Sequence, residues 1–200
     1  MLFETNVAFF LHMTTYWGFV YLYSDREKND FFKSCENSIR NQLLITYPSL
    51  FLFLRYFSPS STNIFLSFLH FPFYIFMTDV WFYTFHRLFH LNFFWKWHKE
   101  HHKNQINVLS IDGGMIEHFL VNQMSVIVGP IITNKLGYAM NIHSFYAWII
   151  FVTANSCLSH IPNKKNIVNN VIHENHHKYL WVNYGAGFYV MDKILGTYRE

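Results

Sequence analysis

Cysteine is scarce in this chain: Cys35 and Cys157 are the two among 200 residues. Their separation fits neither a thiolate metal site nor a disulfide framework, so both read as free thiols on or near a reducing face. Two other signatures are missing. There is no G-x-G-x-x-G run, which would mark a dinucleotide site, and no C-x-x-C-H, which would mark covalently attached haem. Charge is thin as well, with 15 Lys and Arg against 12 Asp and Glu. The net charge of +3 is therefore read as orientation information in a membrane protein, not as nucleic-acid binding. The N-terminus shows no basic region followed by a small-residue cleavage site, so the first apolar segment is expected to stay with the protein.

What is present in quantity is apolar and aromatic: 52% and 21% of residues, with 23 Phe. One domain over residues 1–200 is expected from the length. Four nearly uncharged stretches, Val7 to Tyr23, Leu43 to Phe57, Ile64 to Phe85 and Tyr138 to Leu158, each approach the roughly 20 residues that span a bilayer as a helix. A fifth, Phe119 to Ile132, is fourteen residues long and suits a short, tilted or re-entrant helix. So many apolar runs leave too little polar surface to wrap them in a soluble protein. The expected fold is all-α: an integral membrane bundle of four to five segments.

Counting these segments from the N-terminus puts residues 24–42, 86–118 and 160–200 on one side. That side holds thirteen of the fifteen basic residues: Arg26, Lys28, Lys33, Arg40, Arg87, Lys96, Lys99, Lys103, Lys164, Lys165, Lys178, Lys193 and Arg199. By the positive-inside tendency it is the cytoplasmic side.

On that side the histidines are concentrated. HRLFHLNFFWKWHKEHH, residues 86–102, holds five, and HENHH follows at 173–177. Residues three and four apart share a helical face, so His86 pairs with His90, while His98, His101 and His102 form one group and His173, His176 and His177 another. Imidazoles gathered this way repel when protonated and make little packing sense without something to bind. With His160, just past the last apolar segment, they make nine candidate metal ligands, which fits two metals better than one. Imidazole serves iron, zinc, copper and nickel alike, so ligand type does not name the metal. His118 sits at the mouth of the fifth segment, level with His160, and is a tenth candidate. His12, His70 and His143 lie alone within or beside apolar segments and are expected to be hydrogen-bonded interior or interfacial residues.

In this order the motifs resemble the fatty acid hydroxylase superfamily, its sterol desaturase branch in particular, which includes methylsterol oxidases and sterol side-chain hydroxylases. HRLFH, preceded by DVWFYTF with its acid at Asp79, is similar to the family's first histidine pair, and HKEHH and HENHH are similar to its two H-x-x-H-H boxes. NYGAGFYVMDKILGTYR, 183–199, matches the late Asn-Tyr-Gly, Asp and Gly-Thr pattern. The resemblance covers residues 75–199, the expected catalytic region.

It implies a cytosolic, histidine-rich helical cap holding two iron ions, for which zinc can substitute. It also implies a membrane-bound non-haem oxygenase that uses dioxygen to hydroxylate, oxidise or desaturate a sterol, fatty acyl chain or similar lipid, in the endoplasmic reticulum if the organism is eukaryotic. The implied metal ligands are His86, His90, His98, His101, His102, His160, His173, His176 and His177. Where the family carries a further histidine this chain reads IDGGMIEH, with Gly114 and Met115, and His118 is the candidate replacement. Asp79, two turns before His86, could accept a proton from a ligand's outer ring nitrogen; Asn183 and Asp192 are weaker candidates for that role, and capping or turn formation explains them about as well.

Attack on an unactivated C–H bond needs a redox centre that side chains do not supply. With no flavin, nicotinamide or haem motif in the chain, electrons are expected from an external donor, a b-type cytochrome or a ferredoxin with its reductase. Lys96, Lys99, Lys103, Lys164 and Lys165 could dock that carrier; the other reading is that they only fix topology or touch lipid headgroups. Two other classes compete: a zinc-dependent membrane hydrolase, which needs no electrons, and a metal transporter. The transporter would place its histidines along a path within the membrane rather than at helix mouths and in loops.

Overall fold

The computed structural model describes residues 1–24, 27, 30–57, 59, 63–103, 107–111, 113–161, 167–168, 170–185 and 187–200, with the backbone alone at 103, 110 and 111. Arg26, Lys28, Lys164, Lys165 and Asp112, and the side chain of Lys103, lie outside the described residues. Among those described, the chain is helical throughout, with no β-strand.

All five apolar stretches fold as helix. They are α1 (Leu2–Tyr23), α3 (Tyr47–Tyr56), α4 (Ile64–Phe68) running into α5 (Phe71–Phe89), α8 (Met124–Lys135) and α9 (Ile142–Ser159). Preceding α3 are the amphipathic α2 (Phe31–Asn41) and a π-helical turn, Gln42–Thr46; preceding α8 are the short α7 (Met115–Glu117) and a second π-helical turn, His118–Gln123. Helix α1 lies along α9, and α5 along α8.

Among the described residues two helices meet the length and apolarity of a membrane crossing by composition, Ile64–Phe89 and Met115–Lys135, so the four to five expected spans are matched in part by this criterion. The physical reason is composition. Polar residues interrupt α1 at Glu4, Asn6, His12, Thr14 and Thr15 and α9 at His143, Asn155 and Ser156, while α3 is 10 residues long. Ile64–Phe89 turns large apolar side chains outward, Phe65 at 78% and Leu69 at 73% exposure, as a lipid-facing helix would.

The lower core packs Leu50, Phe53, Tyr74, Phe145, Trp148 and Ile149. A Cβ at Gly129 would lie 3.0 Å from Tyr74 Cα, so α5 and α8 approach as closely as they do because residue 129 has none. One residue on, Pro130 lacks the N–H that would bond the carbonyl of Val126. The Trp148 indole N–H donates to that carbonyl at 2.9 Å, so the proline leaves no bare acceptor in the apolar interior. An upper core of Tyr16, Val20, Val108, Leu109, Cys157 and Ile161 sits nearer the histidines, and Cys35 and Cys157 are not joined by a disulfide.

Above the bundle lie α6 (Trp95–Lys103) and α10 (Asn170–Tyr179), which carry the two H-x-x-H-H boxes. The C-terminal strap closes the assembly. Asn183, at a left-handed φ of 54° that asparagine tolerates, donates to the carbonyls of Ile172 and Arg199 and accepts from Arg199 N–H. Asp192, at the start of α11 (Val190–Ile194), accepts from the N–H groups of Tyr184 and Gly185 and from the Thr197 hydroxyl.

Candidate metal centre

Nine of the ten sequence-named histidines fall into two pools, each with its ring nitrogens within 4.8 Å of one another. One pool gathers His86, His90, His98, His102 and His176; the other gathers His101, His160, His173 and His177. The pools adjoin, with the rings of His102 and His177 4.6 Å apart.

The boxes do not each serve one pool, as shared helical faces suggested. In α6, His98 and His102 turn to the first pool and His101 to the second; in α10, His173 and His177 turn to the second and His176 to the first. The reason is angular. Successive residues on a helix differ by about 100° around the axis, so i and i+4 nearly eclipse while i+3 and i+4 diverge. Two facing helices of this pattern exchange one histidine each.

The hydrogen bonds decide which nitrogen carries the proton. His86 Nδ1 lies 2.6 Å from the carbonyl of Tyr184, His176 Nδ1 2.7 Å from that of Val182, and His160 Nδ1 2.9 Å from that of Ser156. His98 Nδ1 lies 2.8 Å from Glu117 Oε1. Each of these acceptors requires an N–H, so in all four rings Nδ1 donates and Nε2 keeps a lone pair directed inward. Burial, then the neighbouring imidazoles, holds His98, His173 and His177 well below the ordinary histidine range. Burial holds His176 there too, and pushes His90 down to about 3. Those five rings are therefore neutral near pH 7, with no second proton on any of them.

The consequence is a pair of opposed acceptors in the first pool, around which further ring nitrogens crowd. His86 Nε2 and His98 Nε2 sit 3.1 Å apart with no hydrogen between them, and His90 Nε2 lies 3.0 Å from His98 Nε2 and 3.2 Å from His176 Nε2. In the second pool His173 Nε2 is 3.1 Å from His160 Nε2, while both ring nitrogens of His177 and Nδ1 of His173 are buried without a hydrogen-bond partner. Converged lone pairs and orphaned buried nitrogens are costly in a protein interior unless a cation is shared among them. The donor set fits a metal in each pool.

His118 stands outside both pools. Its Nε2 is 2.9 Å from Thr46 Oγ1, against the wall of a cavity below the clusters. His12 bonds Thr153, His70 caps α5, and His143 packs beside Tyr146 on α9, all away from the pools. Asp79 is buried, but its Oδ2 accepts from Met191 N–H at 2.8 Å rather than from an imidazole, tying α5 to the strap. Asp192 acts on a pooled histidine through one intermediary: it fixes Tyr184 N–H at 2.8 Å, and the Tyr184 carbonyl holds His86. Gly185 makes room for this, since a Cβ there would lie 2.9 Å from Asp192 Oδ2 and 3.2 Å from Asp79 Oδ1. Asn183 braces the strap against α10.

Sequence reasoning missed Glu117, which orients His98. The available signal was an acid placed directly before His118 at the mouth of an apolar segment. Three of the other outer partners are backbone carbonyls, which no side-chain pattern reveals.

Fold and site together define a helical protein with two adjoining histidine pools suited to metal ions. A family model described as fatty acid hydroxylase matches residues 71–197, and the chain belongs to that family. It is 28% identical over 179 residues to fatty acid hydroxylase domain-containing protein 2 of Homo sapiens, and 27% identical over 179 residues to the protein of that name from Macaca fascicularis. Each alignment covers 82% of this chain and 51% of the relative, so the chain spans about half the length of the curated relatives it matches. No solved structure matches it.

Proposed function

We propose that the chain is a membrane-bound di-iron oxygenase that hydroxylates, oxidises or desaturates a lipid with dioxygen and externally supplied electrons. The observation that carries this reading is the convergence of buried imidazoles in two adjoining pools, with opposed lone pairs in one and orphaned ring nitrogens in the other, within a chain of the fatty acid hydroxylase family. His86, His90, His98, His102 and His176 would hold one ion and His101, His160, His173 and His177 the other. When bound, iron would supply the redox chemistry for dioxygen activation that no side chain offers. The chain's own contribution is geometric: Glu117 and the carbonyls of Tyr184, Val182 and Ser156 fix each ring's tautomer and aim.

A largely apolar cavity adjoins the pools. Phe82 lines it and packs edge-on against His86 at 5.1 Å, and Ser156 lines it while its carbonyl holds His160. That position and apolar lining suit a lipid chain brought to the proposed metal pair with water excluded.

The test is elemental analysis of purified protein together with dioxygen uptake and product mass spectrometry, in a host supplying sterols and a redox chain. Two metal ions per chain and electron-dependent uptake are expected. One metal or none in folded protein overturns the di-metal reading, and turnover with zinc alone, without electrons, establishes the hydrolase instead.

The charge distribution supports a cytoplasmic metal site, with the turn Thr133–Gly137 on the opposite side of the membrane. In a cysteine-free background, Lys135→Cys and Lys178→Cys are expected to react with impermeant maleimide from opposite sides. Labelling from the same side would refute this orientation.

A further inference from the structure

The cavity below the metal pools has walls of two origins. The family model begins at residue 71, yet His12, Tyr16, Thr46 and Leu50 line the cavity from α1, from the first π turn and from α3. Two hydrogen bonds cross that boundary within the lining: His12 Nδ1 with Thr153 Oγ1 at 3.0 Å, and Thr46 Oγ1 with His118 Nε2 at 2.9 Å. Each joins one residue before position 71 to one after it.

These pairs sit in a wall that is otherwise largely apolar, formed by residues such as Ile75, Val126, Trp148 and Val152. A purely hydrocarbon occupant would strip water from both pairs and give nothing back, at the cost of desolvated polar groups. A threonine hydroxyl has one donor and two acceptor positions. Whichever tautomer the histidine takes, the threonine oxygen of each pair retains capacity for a further hydrogen bond.

The backbone singles out one of the pairs independently. Thr46 is the last residue of the π turn Gln42–Thr46, and His118 is the first of the π turn His118–Gln123. A π turn rotates side chains out of α-helical register, and such turns recur at functional sites. The first has a cause in the sequence: Pro48 cannot donate to the carbonyl of Leu44 and its ring pushes that carbonyl away. The second leaves carbonyls that need outside donors, and the Trp81 indole serves Leu120 at 2.7 Å.

We infer that the His12–Thr153 and Thr46–His118 pairs recognise a hydroxyl group on the lipid, so that the residues before position 71 select which lipid reaches a reaction centre built by residues 71–197. This rests on the proposed reading of the cavity as the lipid site of a metal-dependent enzyme.

The test is equilibrium binding to the full chain in phospholipid nanodiscs, using labelled matched probes: 1-octadecanol against octadecane, and cholesterol against cholestane. At least one alcohol is expected to bind about tenfold more tightly than its hydrocarbon, the worth of roughly one good hydrogen bond. Thr46→Val with Thr153→Val should bring that ratio close to one while hydrocarbon binding is unchanged. Thr46→Ser with Thr153→Ser, which keeps both hydroxyls, should preserve it and guards against a general packing defect. Equal binding of alcohol and hydrocarbon by the native chain, or a ratio that survives the double valine change, overturns the inference. Metal content of the same samples separates the two readings. A preserved ratio without metal counts against the oxygenase alone, whereas bound metal without a ratio counts against hydroxyl recognition alone.

Discussion

Replacing His176 by glutamine is expected to abolish turnover and to strip metal from the chain, while the helical bundle stays assembled. His176 comes from α10 but faces the pool built mainly by α5 and α6, where its Nε2 lies 3.2 Å from that of His90. Glutamine offers an amide in place of an aromatic nitrogen lone pair and cannot repeat the Nδ1 bond to Val182 that aims the ring. Removing only the outer partner of a metal-binding histidine typically costs roughly 10–100-fold in affinity or activity, so loss of the ring itself should exceed that. The lower core around Trp148, Phe145 and Tyr74 does not involve residue 176, so helicity and membrane insertion should persist. His143→Gln is the matched control and should leave metal and turnover as they are. His118→Gln divides two assignments: retained metal keeps it on the cavity wall beside Thr46, and lost metal makes it a tenth ligand. Full metal and full activity in His176→Gln would falsify the pooled-imidazole mechanism.

The second large effect is acid lability beginning well above the usual carboxylate range. Burial keeps His98, His173, His176 and His177 neutral in the folded chain and holds their pKa below the unfolded value of 6.5; His90 is held at about 3. For a depressed histidine the unfolded chain takes up the proton first. The stabilising contribution is therefore complete above about pH 6.5 and is lost as the pH falls from there toward 3. Each such group costs about 1.4 kcal/mol per pH unit, so two of the five acting together remove about 3 kcal/mol per unit. Against a typical total of roughly 5–15 kcal/mol, the fold should fail within a few pH units. Protons also displace metal from imidazole, which acts in the same direction. Thermal midpoints measured between about pH 5 and 8 should be flat above neutrality and fall steeply below about 6.5, with metal released over the same interval. A midpoint unchanged down to about pH 5 would count against neutral, buried rings.

Helix positions and histidine spacing were legible in the sequence because both are periodic signals. The five apolar stretches became helices, and the i, i+4 pairs His86/His90, His98/His102 and His173/His177 each face one pool. How apolar each stretch is was less legible from charge alone, since a run can be free of charge and still carry the Asn, Thr, Ser and His that lower its apolarity, as α1 and α9 do. Which pool His101 and His176 enter depends on how α6 and α10 face each other, a tertiary relation without local trace. The same holds for Asp79. Two turns before His86 it has the right phase to reach that ring, but the strap arrives between them and offers Met191 N–H to the acid and the Tyr184 carbonyl to the histidine.

The exchange of one histidine between the boxes carries a consequence for assembly. On the proposed reading neither ion has a private pair of helices: α6 and α10 each contribute ligands to both, so an ion leaving one pool loosens the helices its neighbour depends on. The pair then loads as a unit, like two rivets through the same two plates, and half-loaded chains are a minor species at every metal concentration. Such wiring suits a reaction that needs both ions at once, because it keeps incomplete centres from persisting in the membrane.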